Sequence, residues 1–204
     1  MTIETLLTTF VTLFVIIDPI GLAPLFVSLT RGMDAKSRGS VALRAIGISF
    51  FLLALFGIVG EKLLDAIGIG IPAFRISGGM LLFLISVDML FEKRSERREK
   101  RSEEALPDPS VFPLAMPLVA GPGALATMIL LNSQNTGNIA GQVGVMLTMA
   151  AVLLVTYVFF RLGGTIEKLL GHTGIVVVTR LLGMVLAAMS VQFVLNGLTD
   201  LGVL

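Results

Sequence analysis

Long apolar stretches, separated by short links that carry nearly all of the charged residues, make up most of the chain. A helix needs about 20 apolar residues to cross the roughly 30 Å hydrocarbon layer of a bilayer. Each stretch is close to this length. The pattern therefore predicts an all-α, polytopic membrane protein with six transmembrane helices, at residues 5–29, 41–60, 69–91, 111–131, 140–160 and 174–198.

The composition agrees with a membrane protein and excludes several other classes. Of the 204 residues, 55% are hydrophobic and 14% are charged, and the mean hydropathy is +0.94. Soluble domains are about 45–50% apolar and about 25% charged. Cysteine is absent, which excludes disulfides and thiolate chemistry. The net charge is only +1, and no basic patch is interleaved with aromatic residues, so we do not expect nucleic acid as a partner.

The basic residues of the links lie almost entirely on one side of the predicted membrane. If the spans alternate in direction, one side receives both termini and the links at 61–68 and 132–139, with Lys62 as its only basic residue. Cytoplasmic links carry an excess of lysine and arginine. We therefore expect both termini outside, and a cytoplasmic side that holds Arg31, Lys36, Arg38, Lys93, Arg94, Arg97, Arg98, Lys100, Arg101, Arg161 and Lys168.

The chain contains a weak internal repeat. Residues 17–23 match residues 120–126 at an offset of 103, and both segments place a proline beside glycine near the middle of a span. Arg75 matches Arg180 at an offset of 105. Because each half has three spans, the second half must enter the membrane in the opposite sense, an arrangement that many secondary transporters use. The sequence thus predicts two inverted three-helix repeats, at 1–91 and 111–204, joined by a charged cytoplasmic linker at 92–110.

The mid-span prolines and glycines predict that the first and fourth helices are broken. Proline removes a backbone donor and glycine favours unwinding, so each span would consist of two half-helices that meet inside the membrane. The N-terminal end of a half-helix suits a carboxylate, and unwound carbonyls suit a cation or an ammonium group. The alternative is that the prolines only kink the helices. The candidate substrate-binding residues are Asp18, Pro19, Gly21, Gly121, Pro122 and Gly123.

Four charged residues within the predicted spans are further candidates. An ionised carboxylate near the bilayer centre costs roughly 2.5–3.5 kcal/mol. Asp18 is therefore predicted to bind a coupling ion, carry a proton or contact a substrate ammonium group, with helix capping as the alternative. Asp88 is a second coupling-ion candidate, or else a solvated helix end. Arg75 and Arg180 are candidate gates or carboxylate clamps, with snorkelling toward lipid head groups as the alternative.

Motifs of known enzyme classes are not found in the sequence. There is one histidine, and no nucleophile elbow, zinc-protease motif or phosphate-binding loop occurs. We therefore expect a protein that is not an enzyme and needs neither a metal nor a cofactor.

Several motifs together give the chain a family resemblance. The residues concerned lie at 18–21, 24–26, 75–79, 112–114, 117–118, 121–123 and 180–183. Through them the chain resembles the MarC family of bacterial and archaeal membrane proteins over essentially its full length. The resemblance implies six spans in the cytoplasmic (inner) membrane and, for some members, transport of small neutral amino acids such as glycine and alanine.

The leading hypothesis is a secondary transporter of small neutral amino acids that works by alternating access and is coupled to H⁺ or Na⁺. An exporter of other small metabolites or toxic compounds is one alternative. A membrane scaffold or regulator that acts through the charged linker is another. The partners expected are a small-molecule substrate, membrane lipid and H⁺ or Na⁺, and the sequence leaves a homo-oligomer open.

Overall fold

The computed structural model describes residues 2–91 and 108–204, and all regular secondary structure within them is helical. The predicted linker at 92–110 falls largely outside the described residues. The described ranges hold seven elements in chain order: α1 (Ile3–Ile17), α2 (Pro19–Leu29), α3 (Ala35–Ala66), α4 (Ile71–Leu90), α5 (Ser110–Val119, with π-type turns), α6 (Pro122–Ser133) and α7 (Ile139–Asp200).

The helices confirm a multi-pass membrane protein. Within the described ranges, four stretches are long and apolar enough to cross a membrane, counting α1 with α2 as one, and the bent pair α5–α6 raises the number to five if it makes a single crossing. The 62-residue α7 is interrupted at Gly171, which has a φ of 63°. We refer to its two parts as α7a (139–170) and α7b (172–200). The interruption lies in the link predicted between the fifth and sixth spans.

The long helices extend beyond their predicted ends. α3 runs from Ala35 to Ala66 instead of 41–60, and α7a continues through most of the link predicted after residue 160. The start of α3 is fixed by Asp34, whose carboxylate accepts from the backbone N–H groups of Lys36 and Ser37 at 3.1 and 3.4 Å. Apolar periodicity marks only the part of a helix that lies in hydrocarbon, so it underestimates helices that continue into water.

The fourth predicted span is not a regular helix in its first half. In α5, Phe112 and Met116 have non-helical backbone angles, and the peptide bonds that follow them, to Pro113 and Pro117, are cis. A proline ring clashes with the residue before it when that residue has α-helical backbone angles, and proline has no N–H to donate. The first half of the fourth span is therefore irregular, and the regular helix α6 begins at Pro122.

Small residues let α4 and α7b pack closely in antiparallel directions. A Cβ added to Gly79 would lie 2.8 Å from the carbonyl oxygen of Ser190, and one added to Gly183 would lie 3.3 Å from the carbonyl oxygen of Ser86. Close backbone approach at small residues is a common way for membrane helices to associate. Further along the same seam, Gly197 lies against the Pro72 carbonyl oxygen.

Two other seams join the first half of the chain to the second. α2 packs on α7a, where a Cβ added to Gly163 would lie 3.0 Å from the Ala23 carbonyl oxygen. α6 packs on α3, where Gly60 lies directly against the Ile129 side chain. Asn132 strengthens this second seam, because its Nδ2 donates to the carbonyl oxygen of Gly57 at 2.7 Å.

α6 lies at the centre of the bundle. Every residue from Gly123 to Asn132 is buried, whereas α3, α4 and α7 expose many large apolar side chains. Exposed apolar surface of this extent is expected where helices face lipid. The half-helix that follows the second predicted break is therefore the most enclosed element of the described chain.

Candidate functional site

The first break is a single residue, Asp18, at the junction of α1 and α2. Its φ and ψ angles are 58° and 64°, in the left-handed region, and its side chain is fully buried. Its backbone N–H donates to the Phe14 carbonyl oxygen at 2.8 Å and so closes α1. Its Oδ1 accepts from the Gly21 N–H at 3.1 Å and so begins α2.

The sequence explains why the break falls at this residue. Aspartate is among the few residues other than glycine that visit the left-handed region, and it is a favoured N-cap. Pro19 occupies the first helical position, where the missing N–H has no consequence. Asp18 therefore has the capping role that the sequence leaves open as an alternative.

The second break has a different construction. α5 ends at Val119, Gly121 is extended, and Pro122 begins α6. Among the described residues, no side chain caps α6. A Cβ on Gly121 would lie 2.5 Å from the Pro117 carbonyl oxygen, so only glycine fits this close approach. The positive end of the α6 dipole is therefore left without an acidic side chain of the kind that Asp18 gives α2.

The two breaks lie close together in the bundle. A Cβ added to Gly123 would lie 3.6 Å from Cγ2 of Ile16 and 2.6 Å from Cδ1 of Ile85. Ile16 comes two residues before Asp18, and Gly123 two residues after Gly121. The structure thus brings the predicted substrate-binding residues of the two spans into one region, with α4 forming an adjacent wall.

Thr127 is a further candidate that the sequence interpretation did not include. It lies one turn after Gly123 on the same face of α6 and is fully buried. Its Oγ1 has no hydrogen-bond partner within the described residues. A buried polar atom without a partner usually marks a place for a water, an ion or a ligand. The signal was a lone hydroxyl in the otherwise apolar run from Pro122 to Leu131.

The remaining candidates lie on α4 and α7b. Asp88 is half-buried in the last turn of α4, three residues after Ile85. Arg75 lies near the start of α4, where it forms an ion pair with Asp200, and its side chain is 12% exposed. Arg180 is exposed in the first part of α7b.

The two arginines lie at opposite ends of the α4–α7b seam. Because the two helices are antiparallel, the end that holds Arg75 contacts the C-terminal part of α7b, and Arg180 lies near the end of α4. A metal site is not indicated, since the described ranges contain no group of three or more potential ligands.

Comparison with known proteins identifies the family. A family model described as MarC family integral membrane protein matches residues 3–201. The chain belongs to the MarC family. The resemblance inferred from the motifs at the two breaks is thereby confirmed.

Relatives of this MarC family chain occur in archaea and bacteria. A UPF0056 membrane protein of Archaeoglobus fulgidus is 39% identical over 94% of this chain and 91% of its own length. The UPF0056 membrane protein YvbG of Bacillus subtilis is 37% identical over 93% of this chain and 92% of its own. No solved structure matches the chain at a significant level. The chain is therefore an integral, multi-pass protein of a family shared by bacteria and archaea.

Proposed function

We propose that this MarC family protein is a secondary transporter of small neutral amino acids, of the size of glycine and alanine. The observation that carries the proposal is the pairing of two breaks with complementary charge. One break holds the fully buried carboxylate of Asp18, and the neighbouring break exposes the uncapped N-terminus of α6. Asp88 is the second candidate for binding the coupling ion.

A zwitterion matches both breaks at once. The N-terminus of a helix stabilises a carboxylate through its free N–H groups and its dipole. A buried carboxylate such as Asp18 stabilises an ammonium group, which offsets the cost of keeping the aspartate charged in the membrane. The unpartnered Oγ1 of Thr127 offers a further hydrogen bond on the same face of α6.

Close apolar packing at the second break favours a small substrate. The side chains of Ile85, Leu82 and Ile16 all lie within 3.6 Å of the position that a Cβ on Gly123 would take. These apolar neighbours leave little room for a large side chain and offer no partner for a charged one. The proposal therefore names neutral amino acids with very small side chains.

The packing seams support an inverted repeat, the architecture associated with alternating access. At an offset of 104, Gly79 corresponds to Gly183 and Ser86 to Ser190. The contact of Gly79 with Ser190 is therefore repeated by the contact of Gly183 with Ser86.

The other two seams correspond in the same way. At an offset of 103, Gly60 on α3 corresponds to Gly163 on α7a. α6 packs at the first glycine and α2 packs at the second. Division of α7 at Gly171 then completes two groups of three spans, 1–91 and 111–204, each with a broken first helix. Both termini lie outside in this proposal.

The proposal is tested by counterflow of labelled glycine or alanine into proteoliposomes, with and without pH and Na⁺ gradients. We expect saturable uptake that depends on one of the two gradients. Asp18→Asn should reduce it at least tenfold, the effect of losing a hydrogen bond to a charged group. Asparagine still caps a helix and tolerates the left-handed region, so the fold should persist.

The matched control is Asp34→Asn, which makes the same change at the exposed N-cap of α3 and should leave uptake unaltered. Absence of saturable uptake by folded wild-type protein would contradict the proposal. If both variants lost uptake to the same extent, Asp18 would have no specific role in coupling.

A further inference from the structure

A small cavity far from the breaks is lined by two arginines. It has a volume of about 100 Å³, is lined by Phe26, Ala35, Arg38, Phe160 and Arg161, and lies between α2, the start of α3 and α7a. The rings of Phe26 and Phe160 are stacked with centroids 4.6 Å apart and close its inner end. One water occupies roughly 30 Å³ in the liquid. The cavity therefore has room for one group of the size of phosphate.

Packing holds the two guanidinium groups at this cavity. Cζ of Arg38 lies 6.0 Å from the centroid of the Phe26 ring. Arg161 crosses α3 at Gly39, where an added Cβ would lie only 2.5 Å from its Nη1. Any larger residue at 39 would displace the guanidinium group. The glycine thus gives Arg161 access to the cavity.

Within the described residues, neither arginine at this cavity forms an ion pair with a carboxylate. The ion pairs of the described residues join Arg44 to Asp108 and Arg75 to Asp200, and neither includes Arg38 or Arg161. The nearest acidic residue along α3 is Asp34, which is engaged in capping that helix. Ser37 holds the pKa of Asp34 below its usual range by hydrogen bonding. The two guanidinium groups therefore have no ion-pair partner within the described residues, whereas the start of α3 already carries the capping carboxylate of Asp34.

We propose that this cavity binds a phosphate group. The planar guanidinium group of arginine matches phosphate oxygens in a two-pronged geometry. The cavity also lies on the side that carries most of the basic link residues, where anionic lipid head groups concentrate and where basic pockets between membrane helices bind them. The phosphate of an anionic lipid and free phosphate share this chemistry, so the test must separate them.

The bound phosphate would join the two halves of the chain. Arg38 belongs to α3 in the first half, and Arg161 belongs to α7a in the second. One phosphate held by both residues would neutralise their repulsion and hold α3 and α7a together.

The experiment measures thermal unfolding of the purified, detergent-solubilised full chain with two probes. Phosphatidylglycerol is compared with diacylglycerol, which lacks phosphate, and inorganic phosphate is compared with chloride at equal ionic strength. We expect phosphate-bearing probes to raise the melting temperature. Arg38→Gln and Arg161→Gln should each weaken binding about tenfold or more. Lys168→Gln, which removes one charge on the same side, should bind as the wild type does.

Gly39→Ala is the sharper variant, because it alters the geometry and keeps every charge. The added Cβ must displace the flexible end of Arg161, so the fold should persist while binding weakens as in Arg161→Gln. Gly47→Ala is the control on the same helix, since a Cβ there has no atom within 4 Å.

Protection by phosphatidylglycerol alone would identify a lipid head group, and protection by inorganic phosphate would identify a free phosphate; both support the proposal. The proposal would be overturned if neither phosphate-bearing probe raises the melting temperature. It would also be overturned if Gly39→Ala and Lys168→Gln bind these probes with equal affinity.

Discussion

At the first break one residue has three roles, two through its backbone and one through its side chain, whereas at the second break no described side chain caps the helix that follows. Asp18 ends α1, adopts the left-handed conformation and caps α2. Gly121 is extended, lies against the Pro117 carbonyl oxygen and leaves α6 uncapped. The repeat places these residues at equivalent positions, but their chemistry is complementary. In the proposed function, this pair suits a ligand with opposite charges at its two ends, whereas a pair of like breaks would suit a symmetric ligand.

The largest expected effect comes from making the breaks alike. Gly121→Asp would place a Cβ 2.5 Å from a backbone oxygen and would bury a second carboxylate. Overpacking costs about 1–3 kcal/mol, and an intramembrane charge about 2.5–3.5 kcal/mol. We expect loss of folded protein, measured as the monodisperse fraction after purification.

Gly121→Ala introduces the steric clash without the charge. It should lower the free energy of unfolding by about 1–3 kcal/mol. Gly47→Ala provides the control, because alanine in an open helical position is neutral or stabilising. If the Gly121→Asp protein were as stable as the wild type, the second break would accept a capping aspartate. The proposed difference between the two breaks would then be wrong.

A smaller effect is expected from dissecting the first break. Asp18→Asn keeps the cap and tolerates the left-handed angles, Asp18→Gly keeps only the angles, and Asp18→Ala keeps neither. Loss of an N-cap costs about 1 kcal/mol, and a left-handed alanine about 1–2 kcal/mol more. Denaturant unfolding should therefore rank the variants Asn, Gly and Ala in order of decreasing stability. A fully stable Asp18→Ala would mean that α2 begins without the cap.

The smallest effect is expected at the ion pairs, which lie away from both breaks. Arg75 and Asp200 are 12% and 38% exposed, whereas Arg44 and Asp108 are 52% and 47% exposed. A double-mutant cycle with Arg75→Gln and Asp200→Asn should give a coupling of about 1 kcal/mol or less, at the upper end of the range for exposed pairs. The Arg44–Asp108 cycle should give only a few tenths. The reverse order would show that burial does not control these pairs.

The parts of the fold that depend on a local sequence pattern could be predicted from the sequence. Apolar stretches of membrane length indicate the long helices, and proline beside aspartate or glycine indicates where spans one and four are broken. The irregular backbone of α5 was missed because hydrophobicity does not distinguish a helix from an apolar segment with prolines at 113 and 117. The polar features were harder to predict, since burial and partners are properties of the tertiary structure.

The phosphate cavity shows this limit most clearly. Arg38 and Arg161 are distant in sequence, and from the sequence both were interpreted only as basic residues of cytoplasmic links. Their common position depends on the packing of α2 against α7a and on the close approach of Arg161 to Gly39. Neither contact leaves a periodic signal in the sequence.

The two seams that join the first half of the chain to the second also affect how the bundle is completed during synthesis. α2 packs on α7a and α6 packs on α3, so each half of the protein completes the other. At roughly 5–20 residues per second, the ribosome needs several seconds to reach α7a after it has made α2. Until then the ring of Phe26 lacks Phe160, its stacking partner, and the glycine-lined face of α3 lacks α6, which is made shortly before α7a. Completion of the bundle therefore depends on the second half of the chain.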